Sequence, residues 1–223
     1  MGRRGGTIPY VPLRLPRLIL AAASGYLLGT VPSADIASRL AKGGVVDLRS
    51  SGSRNPGGVN ALRLLGNTAG RAVIGADVGK GYAACACGRL AGGDLGAHVA
   101  GVAAVAGHCY PVWIRFRGGK GVATSFGQCL YTFPAFALGE LVVALAVTRA
   151  PWLRQRGLAA TGAGATAWLA ASVVWWKRGL PNSWGPTPTV ALPLANAATV
   201  LVVASAFARA LVRRDPDDLS AEP

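Results

Sequence analysis

The chain has 223 residues, of which 52% are apolar and only 14% are charged. A soluble domain carries about 25% charged residues, so this sequence lacks the side chains to cover a water-facing globule. It suits a bilayer instead, where the lipid-facing surface must be apolar. Lys and Arg total 23 against 9 Asp and Glu, for a net charge of +14. That charge suits anionic lipid or phosphorylated substrates. Nucleic acid is set aside as a partner, because the basic residues fall between apolar runs rather than on one polar domain. Cys85, Cys87, Cys109 and Cys129 match no zinc spacing and read as small apolar residues. No metal or cofactor is expected.

Residues 1–17 form a basic N-terminal segment with Arg3, Arg4, Arg14 and Arg17. The apolar stretch behind it is longer than a signal core, so the segment is expected to be retained. Residues 18–212 read as one transmembrane domain. The first span is 18–40, with Pro32 able to bend it, and a polar loop follows at 41–67. Spans at 68–90 and 95–114 are joined by a hairpin turn at 91–94. A short basic loop covers 115–121, and the apolar stretch 122–147 follows. Pro134 in that stretch argues for two short or re-entrant helices instead of one. A basic segment at 149–156 leads to a span at 157–176. Three prolines and two glycines make 177–189 a loop, and the last span is 190–212, before a polar tail at 213–223. The expected fold is an all-α, polytopic transmembrane bundle of about seven spans.

With that count, the basic loops fall on one side of the membrane. They carry Arg49, Arg54 and Arg63, then Arg115, Arg117 and Lys120, then Arg149, Arg154 and Arg156, then Arg213 and Arg214. An excess of Lys and Arg marks the cytoplasmic side. Lys177, Arg178 and the N-terminal arginines run against this assignment.

Three groups of residues carry candidate chemistry. The first is the loop Ser51 to Arg63, with Ser53, Asn55, Gly57 and Asn60 inside it. Its glycines let backbone N–H groups converge on an anion. Ser53, Asn55 and Asn60 add neutral donors, and Arg63 can grip two phosphate oxygens. A solvated connecting loop is the alternative. The second is Arg117-Gly118-Gly119-Lys120-Gly121 leading through Thr124 into an apolar helix. A helix N-terminus favours phosphate, and Lys120 adds a full charge. It is not a Walker A sequence, because no leading glycine is present and Gly121 stands where Ser or Thr would bind magnesium. A basic anchor with a flexible hinge is its alternative. The third is Asp77 with Lys80, three apart on one helix face inside a span. Such charges cost roughly 2.5–3.5 kcal/mol each at the bilayer centre, so the two read as a structural intramembrane pair, with a place beside a polar cavity as the alternative. His108 stands alone near the end of the third span, as a structural hydrogen bonder or a base. No GxSxG elbow or other nucleophile–base pairing is visible.

Together these segments resemble the bacterial acyl-phosphate:glycerol-3-phosphate acyltransferases, the PlsY family. The resemblance runs from about Gly25 to Arg149. It rests on Gly29-Thr30-Val31-Pro32-Ser33, the loop from Gly52 through Asn60 and Arg63, Asp77-Val78-Gly79-Lys80-Gly81, and Gly107-His108-Cys109-Tyr110-Pro111 through Thr124. It implies a seven-helix enzyme of the bacterial cell membrane with its site on the cytoplasmic face. The implied reaction moves a fatty acyl group from acyl phosphate to sn-glycerol 3-phosphate, giving lysophosphatidic acid, without acyl-CoA or metal. Ser53, Arg63, Lys120 and His108 are the implied catalytic residues. Asn55, Gly57, Asn60, Arg117, Gly118, Gly119, Gly121 and Thr124 are the implied phosphate-binding residues. Membrane lipid and neighbouring lipid-synthesis enzymes are the implied partners.

The sequence also departs from the pattern. Arg54 replaces a usual glycine. The family's closing His-Arg-x-Asn-Ile motif is missing, and the stretch Phe207 to Leu211 is expected to stand in its place. A non-catalytic lipid-binding relative and a transporter of a phosphorylated solute are the alternative readings.

Overall fold

The computed structural model describes residues 14–41, 44–150, 152–153, 155–217 and 219. Arg3, Arg4 and Arg154 lie outside the described residues. All the regular secondary structure among the described residues is helical. The helices are α1 (Arg14–Gly29), α2 (Ser33–Leu40), α3 (Gly58–Cys109), α4 (Val122–Thr132), α5 (Pro134–Thr148), α6 (Arg156–Arg178) and α7 (Ala191–Val212). Four stretches are long and apolar enough to cross a membrane: 14–40, 58–114, 156–178 and 191–212.

The expected first span does not merely bend at Pro32. It breaks, and Pro32 becomes the N-cap of α2, because proline has no N–H to give the preceding turn. The expected polar loop is also shorter than read. Helix α3 already begins at Gly58, so Asn60 and Arg63 sit on its first turns. Within α3 the backbone leaves helical geometry at Gly66 and again at Gly92 and Gly93. The second break is the hairpin expected at 91–94, with Gly93 at a φ of 66° that other residues rarely adopt. The expected span 95–114 stops at Cys109, and a single 3-10 turn, Val112–Ile114, follows. Pro134 opens α5 at its first position, where a missing N–H costs nothing. The stretch 122–147 is therefore two short helices, of 11 and 15 residues.

Lipid tails are as apolar as leucine, so helices in a bilayer associate through close packing of small residues. Helix α1 lies against the last leg of α3, after Gly93, in this way. A Cβ on Gly25 would run into the backbone of Ala100, and one on Gly29 into the backbone of Ala104. Gly81 and Gly127 bring α3 and α4 together likewise, against Thr124 and Val78. A Gly29→Leu variant should therefore lower stability by about 1–3 kcal/mol, measured by thermal unfolding in detergent. Gly79→Leu is the control, since nothing lies within 4 Å of that position, and its unfolding temperature should not fall. A cluster of Cys129, Phe133, Ala137, Trp168 and Leu192 joins α4, α5, α6 and α7.

Candidate active site

The first loop owes its shape to Asn60. Its side-chain oxygen accepts from the Ser53 N–H at 3.1 Å, and its amide donates to Leu48 O at 3.1 Å and Ser51 O at 3.0 Å. A Cβ at Gly52 would strike the same side chain. Asn60 and Ser53 are both fully buried. Arg54 adopts a φ of 57°, the left-handed region where glycine has no side-chain penalty. Arg49 then ties three segments together. Its guanidinium pairs with the Asp35 carboxylate of α2, and its Nε donates to Arg117 O at 2.8 Å.

The glycine-rich loop, residues 117–121, lies across the end of α3. Gly118 N–H and Gly119 N–H donate to Cys109 O and His108 O, each at 3.2 Å. Only glycine permits this approach: a Cβ on Gly118 would meet His108 O, and one on Gly119 the His108 Nε2. Gly121 caps α4 with a φ of 85°. From the other side Arg209 of α7 grips the loop. It donates to the carbonyls of Cys109, Phe116, Gly118 and Gly119 at 2.9–3.3 Å. Lys120 is 7% exposed and lies 5.0 Å from the centre of the Phe207 ring.

Asp77, Lys80 and His108 meet beneath the loop. Lys80 Nζ lies 2.8 Å from Asp77 Oδ1 and donates to Val31 O at 2.9 Å. His108 Nδ1 stands 3.5 Å from the same carboxylate oxygen. The pair expected to be structural is therefore a trio, and it holds the histidine ring with Nε2 against Gly119.

Two cavities adjoin the loop. One, of about 510 Å³, is lined by Arg49, Arg54, Arg117 and Arg213 with Asp47 and Asp215. The other, of about 420 Å³, is mostly apolar, and runs from Asn55, His108 and Lys120 past Val78, Phe126 and Leu141 to Trp168. Gly57 and Gly58 at the start of α3, and Val122 and Ala123 at the start of α4, line its head. Helix N-termini present unpaired N–H groups and partial positive charge. Two of them and Lys120 thus converge where an apolar chain would carry its anionic head.

The tail closes this end. Asp217 accepts from Gly157 N–H at 3.1 Å and Leu158 N–H at 3.2 Å, capping α6, and Asp215 lies 3.7 Å from Arg54. Burial pushes the Asp217 carboxyl up, but the N–H groups of Leu219, Gly157 and Leu158 and the charge of Lys120 outweigh it and hold it below its ordinary value. A depressed carboxyl stabilises the fold fully above its unfolded pKa, about 3.9. That stabilisation disappears as pH falls through the depressed folded value. Amide exchange at Gly157 and Leu158 should therefore stay protected at pH 5. Asp217→Ala should lose that protection at neutral pH, a loss of about 0.5–2 kcal/mol for a capping group.

Of the expected site residues, the structure brings Asn55, Gly57, Lys120, Gly121 and His108 to the apolar cavity, and Arg117 and Gly118 to the basic one. Gly119 forms the wall against His108. Ser53, Asn60, Arg63 and Thr124 line neither cavity. Arg63 is exposed, while Thr124 is fully buried against Gly81 of α3. The stretch 207–211 lies inside the last span, as the expected bounds 190–212 place it. It forms the final turns of α7, and the residues past the span are Arg213 to Asp217. Arg49, Arg209 and Glu140 were not singled out by the sequence. Their neighbours lie far away along the chain, so no local spacing announces them.

A helical membrane protein with an arginine-lined cavity beside an apolar one defines a class of protein that handles a phosphate head and a lipid tail together. The family model described as glycerol-3-phosphate acyltransferase matches residues 19–213, and the chain belongs to that family. A glycerol-3-phosphate acyltransferase of Symbiobacterium thermophilum is 41% identical over 66% of this chain and 73% of its own length. One of Maricaulis maris is 39% identical over 82% of this chain and 78% of its own. For one of Thermoanaerobacter sp. the figures are 41%, 58% and 64%. The fold is similar to the crystal structure of PlsY (YgiH), an integral membrane glycerol 3-phosphate acyltransferase, in its glycerol 3-phosphate form. The TM-score is 0.69 and the identity 29%, over 88% of this chain and 91% of that one. The lysophosphatidic acid form gives a TM-score of 0.67 at 27% identity, over 90% and 94%.

Proposed function

We propose that this protein transfers a fatty acyl group from acyl phosphate to sn-glycerol 3-phosphate. The observation that carries the reading is the pairing of a basic and an apolar cavity on the two sides of one glycine-rich loop. Glycerol 3-phosphate fits the arginine-lined side, because Arg guanidinium groups match phosphate oxygens two at a time. The acyl chain fits the apolar side, with its phosphate at Lys120 and the starts of α3 and α4. The acceptor hydroxyl oxygen attacks the acyl carbon, the bond from that carbon to the phosphate oxygen breaks, and the hydroxyl proton goes to the departing phosphate. Acyl phosphate is already activated, so the work left to the protein is positioning and charge stabilisation.

Lys120 stabilises the departing phosphate, and Asn55 and Gly57 hold its oxygens. His108, fixed by Asp77, keeps Gly119 and the loop in register. Arg117 serves the acceptor phosphate. Ser53 and Asn60 act by shaping the first loop, and Arg63 rests on the resemblance alone. The grouping of Arg49, Arg54, Arg117 and Arg213 at one end supports placing the site on the cytoplasmic face of a bacterial cell membrane.

The acceptor half is tested by phosphate release from palmitoyl phosphate with purified protein. Release should require glycerol 3-phosphate and should not be supported by glycerol. Equal release with glycerol, or none with either, contradicts the reading.

A further inference from the structure

The apolar cavity ends at one level on four helices. On α6 its wall runs from Gly157 at the head through Gly164 to Trp168. On α5 it runs from Thr148 to Glu140, and on α7 from Phe207 to Thr199. On α4 it stops at Phe126. Past that level each helix enters the same buried cluster. Cys129 of α4, Phe133 between α4 and α5, Ala137 of α5 and Leu192 of α7 pack there with Trp168. The Phe133 ring extends the layer to Phe136 and Trp175, at 5.7 and 5.4 Å between ring centres.

Trp168 thus lines the cavity and belongs to the packed layer that closes it. With the Asn196 amide oriented to suit its neighbours, Trp168 Nε1 donates to it at 3.3 Å, which fixes the indole in place. The polar groups near this floor are spent within the protein. Thr199 donates to Gln128 Oε1 at 2.9 Å, and the Glu140 carboxyl is hydrogen-bonded to the Cys129 thiol. A plain methyl end arriving there leaves none of these groups without its partner.

Depth along the cavity follows from α6. Trp168 lies eleven residues beyond Gly157, about 16 Å at 1.5 Å per residue. Carbon–carbon bonds near 1.5 Å advance an extended chain by about 1.3 Å each. The run from head to floor therefore holds about thirteen such bonds, the length of a myristoyl chain.

We propose that Trp168 is a specificity-determining residue that sets the upper limit on acyl chain length. The inference rests on the acyl-transfer reading of this same cavity. A chain of about myristoyl length ends against the indole. An arachidoyl chain is about six bonds longer and must force the packed layer apart, and such layers resist even one added methylene.

The test is binding, which needs no turnover. The full chain in detergent is titrated calorimetrically with octanoyl, myristoyl and arachidoyl lysophosphatidic acid. The wild type should bind the myristoyl lipid about tenfold or more tighter than the arachidoyl one. Trp168→Leu should bring that ratio to about twofold or less, because the smaller side chain opens the floor. Gly164→Leu shortens the cavity instead. No atom lies closer than 3.8 Å to a Cβ at that position, so the new side chain can fill the cavity about 10 Å below Gly157. It should weaken the myristoyl lipid about tenfold or more. The octanoyl lipid is short enough to bind both variants as it binds wild type, which shows that they are folded. Equal wild-type affinity for the myristoyl and arachidoyl lipids, or an unchanged ratio in Trp168→Leu, would overturn the inference and leave the acyl-transfer reading standing. If Gly164→Leu binds the myristoyl lipid as wild type does, or if no lipid binds the wild type, the acyl reading of the cavity fails, and this inference fails with it.

Discussion

Lys120→Met should lower kcat/KM for acyl transfer by about 10²–10³-fold, the loss seen when one stabilising group is removed from a preorganised site. Met preserves the length and apolar character of the side-chain stem and removes only the charge. The ammonium is buried between the Phe207 ring and the head of the apolar cavity. A charge shielded from water acts on a neighbouring phosphate far more strongly than one in bulk solvent. The effect should fall mainly on kcat, because charge on the phosphate grows as the acyl carbon–oxygen bond breaks. Steady-state rates with palmitoyl phosphate check this, with the unfolding temperature recorded alongside. A variant within twofold of wild type would remove Lys120 from the chemistry.

Arg209→Lys should cost about 10–10²-fold in kcat, although it preserves charge. Arg209 donates to four carbonyls that belong to the end of α3 and the glycine-rich loop. The planar guanidinium holds these acceptors in a fixed fork, and a lysine ammonium cannot span them. Carbonyls left without their charged donor should also reduce stability by about 1.5–3 kcal/mol. The loop carries Lys120, so a shift near 1 Å there misplaces the charge. Rates and thermal unfolding measured on Arg209→Lys and Arg209→Ala check the expectation. Wild-type rates in Arg209→Lys would show that charge alone suffices.

These two residues show what the sequence made legible and what it hid. Lys120 was visible because its surroundings are local: glycines on both sides, then an apolar helix. The helices themselves were visible for the same reason, as apolar runs of bilayer length punctuated by Pro134 and by Gly92-Gly93. Arg209 was hidden because the loop it holds lies some 90 residues earlier in the chain. Glu140 was hidden because a single acid in an apolar run gives no sign of the cavity it faces. Asn60 was read as a phosphate ligand from its type, but its amide is spent on Leu48 and Ser51 and its oxygen on Ser53. Arg54 looked like a departure from the family pattern, and 213–223 like a polar tail with no link to it. The structure puts them in contact, at 3.7 Å between Arg54 and Asp215.

The central claim is that the basic and apolar cavities bring two substrates to one loop. Its most direct measurement is product formation from labelled glycerol 3-phosphate and palmitoyl phosphate by the purified protein, with Lys120→Met in parallel. The account predicts labelled lysophosphatidic acid from the wild type and about 10²–10³-fold less from the variant. No labelled product from folded wild-type protein, or equal product from the two, would contradict it.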